Sequence, residues 1–407
     1  MPGSGLRQRL GWGVADQGLS ALGNFLLFVI AARSVDARQF GAFTLAVATY
    51  GILIVVNRAF AMEPLLIRLP GDDAGQRAAA RSASGAATAM AVAEGAVVVL
   101  VGVALDGPTG TALVALGALL PALTCQDALR YVGFARHRPG AAFASDLAWT
   151  ALEVPLMVAV VLTGRASATW LIIAWGAASV PGALVGGLAL RTGPGVTGAG
   201  SWLTRHLDLA PHLTADSLIV SGAGRAVLFL VALSTTVVQV ALLRAAQVLY
   251  GPVNVLTAGA QGLGLAELNR VRSDLARLAW ATTWASALLA AAAALWTVVL
   301  VAFGGTLGPV LLGDIWDTAR WLIIPVGVKQ VAACASLGPF LGLRVREAAT
   351  DSVRLRLSIT AVLIVAGFVG AVAAGARGAA VGMAGAQVLT TAWVWRVWRR
   401  HTVTEPH

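Results

Sequence analysis

Charge is scarce in this chain: 12% of its 407 residues are charged, against 58% hydrophobic. A water-soluble globule of that composition could not cover itself with polar surface, so a bilayer must be its solvent. Cysteine is nearly absent. Cys125 and Cys334 each stand alone in an apolar stretch and give neither a disulfide framework nor metal-ligand spacing. The histidines, His137, His206, His212, His401 and His407, fall mostly at the ends of apolar stretches or in tails and form no H-E-x-x-H arrangement. Lysine occurs once, at Lys329, so the glycine-rich run Gly193–Gly200 lacks the Gly-Lys-Ser/Thr of a phosphate loop and reads as a linker. Asp72-Asp73, the one paired acidic motif in a polar loop, has no second acidic cluster to complete a metal-diphosphate site. No metal or organic cofactor is called for.

Apolar stretches long enough to cross roughly 30 Å of hydrocarbon, about 20 residues each, dominate the rest. Six lie at Trp12–Ala32, Phe40–Phe60, Ala83–Ala104, Gly110–Phe134, Gly140–Thr163 and Ala168–Leu190. Six more lie at His212–Leu233, Thr236–Ala258, Trp280–Phe303, Ala319–Gly342, Leu357–Ala376 and Gly378–Trp395, each bounded by Gly, Pro or charge. The expected fold class is an all-α integral membrane protein of twelve transmembrane helices. The first stretch is too long for a cleaved leader and runs straight into a second, so it is expected to remain in the mature protein.

Threading these stretches in alternation places most arginines on one side, among them Arg7, Arg9, Arg68, Arg77, Arg81, Arg136, Arg138, Arg205, Arg277, Arg344, Arg354 and Arg400. The other side receives Arg33, Arg38, Arg165, Arg320 and Arg377. By the positive-inside rule both termini are cytoplasmic. The net charge of +10 then reflects topology and contact with anionic membrane lipids, not nucleic-acid binding.

An internal echo divides the chain. Asp16 and Tyr50-Gly51 recur as Asp216 and Tyr250-Gly251, and Pro121, Gln126 and Arg136-x-Arg138 recur as Pro325, Gln330 and Arg344-x-Arg346. A six-helix unit used twice, with an even number of spans per copy, predicts two lobes related by a pseudo-two-fold axis along the membrane normal. The N-lobe is expected over residues 1–200 and the C-lobe over 201–407. After the linker, Trp202, Leu203, His206 and Leu209 share one helical face, suggesting either a short helix in the membrane interface or an ordinary loop.

Gln17, Asn24, Ala32-Arg33 and Phe40-Gly41-Ala42-Phe43 resemble the opening of polysaccharide exporters of the multidrug, oligosaccharidyl-lipid and polysaccharide (MOP) exporter superfamily. The run Gln126–Pro139 is similar to the fourth span and following loop of bacterial polysaccharide-biosynthesis membrane proteins. The resemblance implies a flippase of the bacterial cytoplasmic membrane. It would carry an undecaprenyl-diphosphate-linked oligosaccharide from the inner to the outer leaflet by alternating access. Such a protein works alongside polysaccharide glycosyltransferases and a polymerase. Other readings are a drug or small-cation antiporter of the same superfamily, or a membrane glycosyltransferase or ligase acting on the same lipid carrier.

A flippase needs a wet, cationic route for a diphosphate, and unpaired charge at mid-bilayer is expensive, so basic residues within spans are the substrate-binding candidates. These are Arg225 near the centre of the seventh span, Arg244, Lys329 and Arg58, with Asn24 and Gln247 able to hydrogen-bond sugars. Arg225, Arg244 and Lys329 are expected to line one wall of the C-lobe cavity. Each of these basic groups could instead form a structural ion pair. Asp127 and Arg130, spaced i, i+3, can satisfy each other, and Asp16 could pair with Arg58 at similar depth. Glu94 and Glu153 are deep carboxylates suited to H⁺ or Na⁺ coupling, and the family resemblance gives Asp16 the same role. Fixed counter-ions are the bland reading of all three.

Overall fold

The computed structural model describes residues 3–346 and 349–403, with side chains except at 3–17, 216, 219–221, 223, 262–263, 265–266, 349–353 and 403. All regular elements among the described residues are helices. Two compact units divide the chain, Met1–Arg225 and Ala226–His407, with the division inside one helix. Among the described residues, eight helical stretches are long and apolar enough to cross a bilayer, nine when one bent pair is counted as a single span, which makes this a multi-pass membrane protein.

Unit 1 contains α1 (Gly3–Ser34), α2 (Ala37–Asn57), a π-helical turn (Arg58–Met62), α3 (Glu63–Ile67), α4 (Asp73–Ala104), α5 (Gly107–Ala135), α6 (Pro139–Leu162), α7 (Ala168–Leu190), α8 (Ala199–Arg205) and the first part of α9 (Ala210–Ser234). Side-chain caps fix several starts. Asp36 accepts from the Gln39 backbone N–H at 2.8 Å, Asp72 from Gly75 at 2.9 Å and Ser167 from Trp170 at 3.3 Å, each satisfying an orphan donor of the first turn. Small residues let helices touch through their backbones: a Cβ at Gly95 would run into the Gly117 carbonyl, and one at Gly117 into that of Gly95. Nearer one end of the unit, Met62, Leu65, Leu129, Val132, Leu190 and Trp202 form an apolar core.

Trp202 belongs to α8, the short helix anticipated after the linker. It does not simply rest on the lipid interface: its indole Nε1 donates to the Ala61 carbonyl at 3.0 Å and its ring lies 4.2 Å from that of buried His206. The linker packs as well, through the Gly195 N–H and the Arg81 carbonyl at 2.9 Å.

Unit 2 continues with the rest of α9, then α10 (Val237–Val248), α11 (Gly251–Arg270), α12 (Leu275–Ala302), α13 (Gly304–Leu312), α14 (Trp316–Ala319) between two 3₁₀ turns, α15 (Ile323–Val345) and α16 (Ala349–Val403). α16 is interrupted at Ala374 and Gly375, where φ reaches 58°, a value glycine tolerates without a Cβ penalty. α10 and α11 meet at a 60° bend. Pro252 opens α11, and the Leu249 carbonyl exposed by the break is taken by the Trp296 indole at 2.8 Å.

The internal echo is visible in hydrogen bonds. Ser34 closes α1 by bonding back to the Ile30 carbonyl at 2.6 Å, and Ser234 closes α9 through Leu230 at 2.7 Å. Gln39 Oε1 accepts from the Ala168 N–H at the start of α7 at 2.9 Å, and Gln239 Oε1 accepts from Ala376, just past the break in α16, at 2.8 Å. Each glutamine near the start of one helix thus caps the start of another in its own unit. The repeated Tyr-Gly pair has diverged: α2 runs straight through Tyr50-Gly51, whereas Tyr250-Gly251 sits at the α10–α11 bend.

Candidate functional site

The π-helical turn begins at Arg58, and such turns insert one residue and re-aim the side chains that follow. Arg58 grips the carboxylate of Asp127 on α5 with two donors, Nε to Oδ2 at 2.8 Å and Nη2 to Oδ1 at 2.5 Å. The fork geometry matches guanidinium to carboxylate. Asp127 is 3% exposed and Arg58 29%, so the pair is sealed on the acid's side and open on the cation's. Asp127 is thus a carboxylate partner of Arg58; the side chain of Asp16, expected to pair with it, lies outside the described residues. Depth along a helix was the basis for that pairing, and depth leaves the rotation about the axis undetermined.

Arg130 extends the network. Its Nη1 stands 3.6 Å from Asp127, the expected i, i+3 contact, but its Nε approaches Asp146 of α6 more closely, at 3.1 Å. Asp146 also accepts from Gln126 at 2.8 Å and from Ser20 at 2.8 Å, while Ser145 donates to the Gly182 carbonyl. Residues of α1, the π turn, α5, α6 and α7 are thereby tied together by one polar cluster in an apolar setting. The Tyr131 ring lies 5.3 Å from the Arg58 guanidinium, and Tyr50 packs edge-on against Trp175 at 5.0 Å.

Arg225, on α9, occupies the space that a side chain at Gly51 would need, within electrostatic range of Arg58 and Tyr50. It is therefore placed within unit 1. Arg244 on α10 and Lys329 on α15 lie in unit 2, close enough for each to feel the other's charge. The described acids of unit 2 lie near helix ends or outside helices, at Glu267, Asp274, Asp314, Asp317 and Asp351; Glu347 and Glu405 fall outside the described residues. Gln247 is half-buried on α10, Asn24 is exposed and bonds back to the Ser20 carbonyl at 2.8 Å, and Gln330 donates to Asn254 at 2.9 Å.

Glu94 accepts from the Asn57 amide, one residue before the π turn. Glu153, 4% exposed on α6, has an Oε1 with no hydrogen-bond partner among the described residues. No group of three or more His, Cys, Asp or Glu that could hold a metal exists among the described residues. Sequence reasoning did not find Gln126, Ser145 or Ser20 as members of the network, nor Gln39 and Gln239 as caps. The helical spacing of Gln126 with Arg130, and of Asp146 with Glu153, was the available signal.

Outside the membrane-spanning segments, Arg68 holds Asp208 across the α3 and α8–α9 loops through two hydrogen bonds, and this pushes the Asp208 carboxyl below its ordinary value. Desolvation and the neighbouring Arg138 lower Arg136, whose Nη1 donates to the Leu190 carbonyl at 3.2 Å.

No protein-family model and no curated protein matches the chain. Solved structures do. An inward-facing multidrug-resistance MATE transporter of the MOP superfamily aligns over 95% of this chain and 94% of its own, with a TM-score of 0.73 at 11% identity. The lipid II flippase MurJ in an inward closed conformation aligns over 97% and 87%, with a TM-score of 0.75 at 9% identity. A MOP transporter from Pyrococcus furiosus, described as having a binding pocket of reverse polarity, aligns over 97% and 95% with a TM-score of 0.55 at 12% identity. The chain has the fold of the MOP-superfamily transporters.

Proposed function

We propose that the protein is an alternating-access flippase. It carries an undecaprenyl-diphosphate-linked oligosaccharide from the inner to the outer leaflet of the bacterial cytoplasmic membrane for cell-surface polysaccharide synthesis. Twelve spans in two six-helix lobes, with both termini cytoplasmic, are the arrangement this reading requires. Polysaccharide glycosyltransferases and a polymerase would be its functional partners. Its fold likeness to a lipid II flippase supports the lipid-linked substrate class. Its likeness to multidrug transporters supports the mode of transport.

The observation that carries the proposal is the proximity of Arg244 on α10 and Lys329 on α15, two cations on apolar helices that lie within electrostatic range of each other. Two neighbouring cations within apolar helices attract an anion that can reach both. A diphosphate supplies two adjacent charged groups, and the planar guanidinium can grip two oxygens at once. In unit 1, Arg225 and the open face of Arg58 are a separate cationic candidate. Neutral contacts to sugars fall to Asn24 and Gln247.

Drug or small-cation antiport is the second reading, favoured by the deep carboxylates Glu94 and Glu153, the groups an antiporter uses to exchange H⁺ or Na⁺. Reconstitution in liposomes with labelled lipid-diphosphate sugars separates the two. Wild type should equilibrate the label between leaflets, and Arg225→Ala and the double variant Arg244→Ala/Lys329→Ala should lose most of that rate. Full exchange in all three proteins would remove these cations from the mechanism, and drug efflux without lipid exchange would favour the antiporter.

A further inference from the structure

Glu153 has no part in the network or in the proposed diphosphate contacts, yet it is among the most thoroughly buried charged side chains described. It lies on the buried stripe of α6 formed by Ala142, Ser145, Asp146, Glu153 and Met157. Asp146, seven residues earlier and roughly 10 Å away along the axis, is fully engaged by Arg130, Gln126 and Ser20. Glu153 is not: its Oε1 has no hydrogen-bond partner among the described residues. Its Oε2 faces α1 at Gly23: a Cβ there would stand 3.9 Å from Oε2 and 3.3 Å from the Thr150 hydroxyl.

No charge among the described side chains offsets it. Among the described side chains, α1 carries only Arg33, at its far end, and α7 carries no charged residue. On α5, Asp127 and Arg130 are committed to Arg58 and Asp146, and on α6 itself Asp146 faces that same cluster. An ionised carboxylate stranded in apolar surroundings is so costly that the group takes up a proton instead. A hard metal ion needs six or more oxygens, whereas here the described side chains bring the Thr150 hydroxyl and the carboxylate itself.

We propose that Glu153 is a proton-binding site at the contact between α1 and α6, holding its proton while that contact is closed and releasing it when the contact admits water. Its use in coupling rests on the transport reading, but the binding of a proton does not. Gly23 is the natural point of entry, because the absence of a side chain leaves α1 thin where it covers the carboxyl.

Infrared difference spectroscopy of the full-length protein in liposomes, taken through a pH titration, tests the site directly. Wild type should show the carbonyl-stretch band of a buried protonated carboxylic acid. The band should be lost in Glu153→Gln, displaced in Glu153→Asp and retained in Glu94→Gln. A Glu153→Gln spectrum identical to wild type would overturn the site. In the same liposomes, lipid-diphosphate exchange in wild type should respond to an imposed pH gradient, and Glu153→Gln should lose that response. A fully retained response, or one to sodium alone, would overturn the coupling role. Wild type that shows the band but no exchange would sink the transport reading and leave the proton site standing.

Discussion

The contact between Arg58 and Asp127 can be tested quantitatively. With Nε and Nη2 at 2.8 and 2.5 Å from the carboxylate oxygens, charge centres about 4 Å apart attract by about 4 kcal/mol at an effective dielectric constant of about 20. Against this stands the desolvation of each ion, several kcal/mol apiece. Asp127, 3% exposed, has lost nearly all its hydration, whereas Arg58 at 29% keeps part of it. The net contribution of the intact pair is therefore small, but removing either partner strands the other, at a cost of about 3–5 kcal/mol for a fully buried pair. Arg130, 3.6 Å from Asp127, softens the loss. Arg58→Met should thus cost about 2–3 kcal/mol, and Arg58→Met/Asp127→Leu should cost no more than either single change. The cycle is measured by equilibrium unfolding in mixed detergent micelles followed by tryptophan fluorescence, with an expected coupling energy of about 2 kcal/mol. A coupling below about 0.5 kcal/mol would refute the account. Since the open face of Arg58 is assigned to the substrate, the double variant should fold stably and still transport poorly.

The other predictions concern the repeated caps, the helix contacts and the loop pair. Gln39→Ala and Gln239→Ala should each destabilise the protein by about 1–3 kcal/mol, since each leaves a helix-start N–H unsatisfied at a buried alanine, Ala168 or Ala376; thermal unfolding of both variants at the wild-type midpoint would disprove the capping. Gly95→Ala should cost about 1–3 kcal/mol by forcing α4 away from the Gly117 carbonyl, read as a lowered unfolding midpoint, whereas Gly18→Ala, with open space around it, should be tolerated. Asp208 has a carboxyl held below its ordinary value, so the contribution of its pair with Arg68 is fully present above the unfolded value and fades as pH falls through the lower folded one. Cleavage between α7 and α9 in limited proteolysis should accordingly rise in acid for wild type and become insensitive to pH in that range for Asp208→Asn. High salt should weaken the same exposed pair.

The helices were legible in the sequence because their signal is additive: each depends on about twenty apolar residues, and no single misreading erases it. The echo was legible where bulky or charged residues repeated, as at Tyr50 and Tyr250, and illegible at Gln39 and Gln239, where one polar residue beside a turn carries no periodicity. Side-chain partners were harder still. A π turn shifts the register of everything after it by one residue, so the directions of Glu63 and Leu65 do not follow from counting along α2 in steps of 3.6. The same limit explains Arg225. Its depth was readable from its place in an apolar run, but its position depends on Gly51, a glycine whose role is to be absent from the space the guanidinium fills. Under the proposed function, the places to probe are where helices depart from regularity, at the Arg58 turn, the Tyr250-Gly251 bend and the Gly375 break. At each of these, backbone groups released from the helix need a new partner. Two were found in the structure, the Trp296 indole at the bend and the Gln239 amide at the break. A transporter that rocks between states must exchange or preserve such partners, so variants there should alter the rate of leaflet exchange more than substitutions along the regular, lipid-facing stretches.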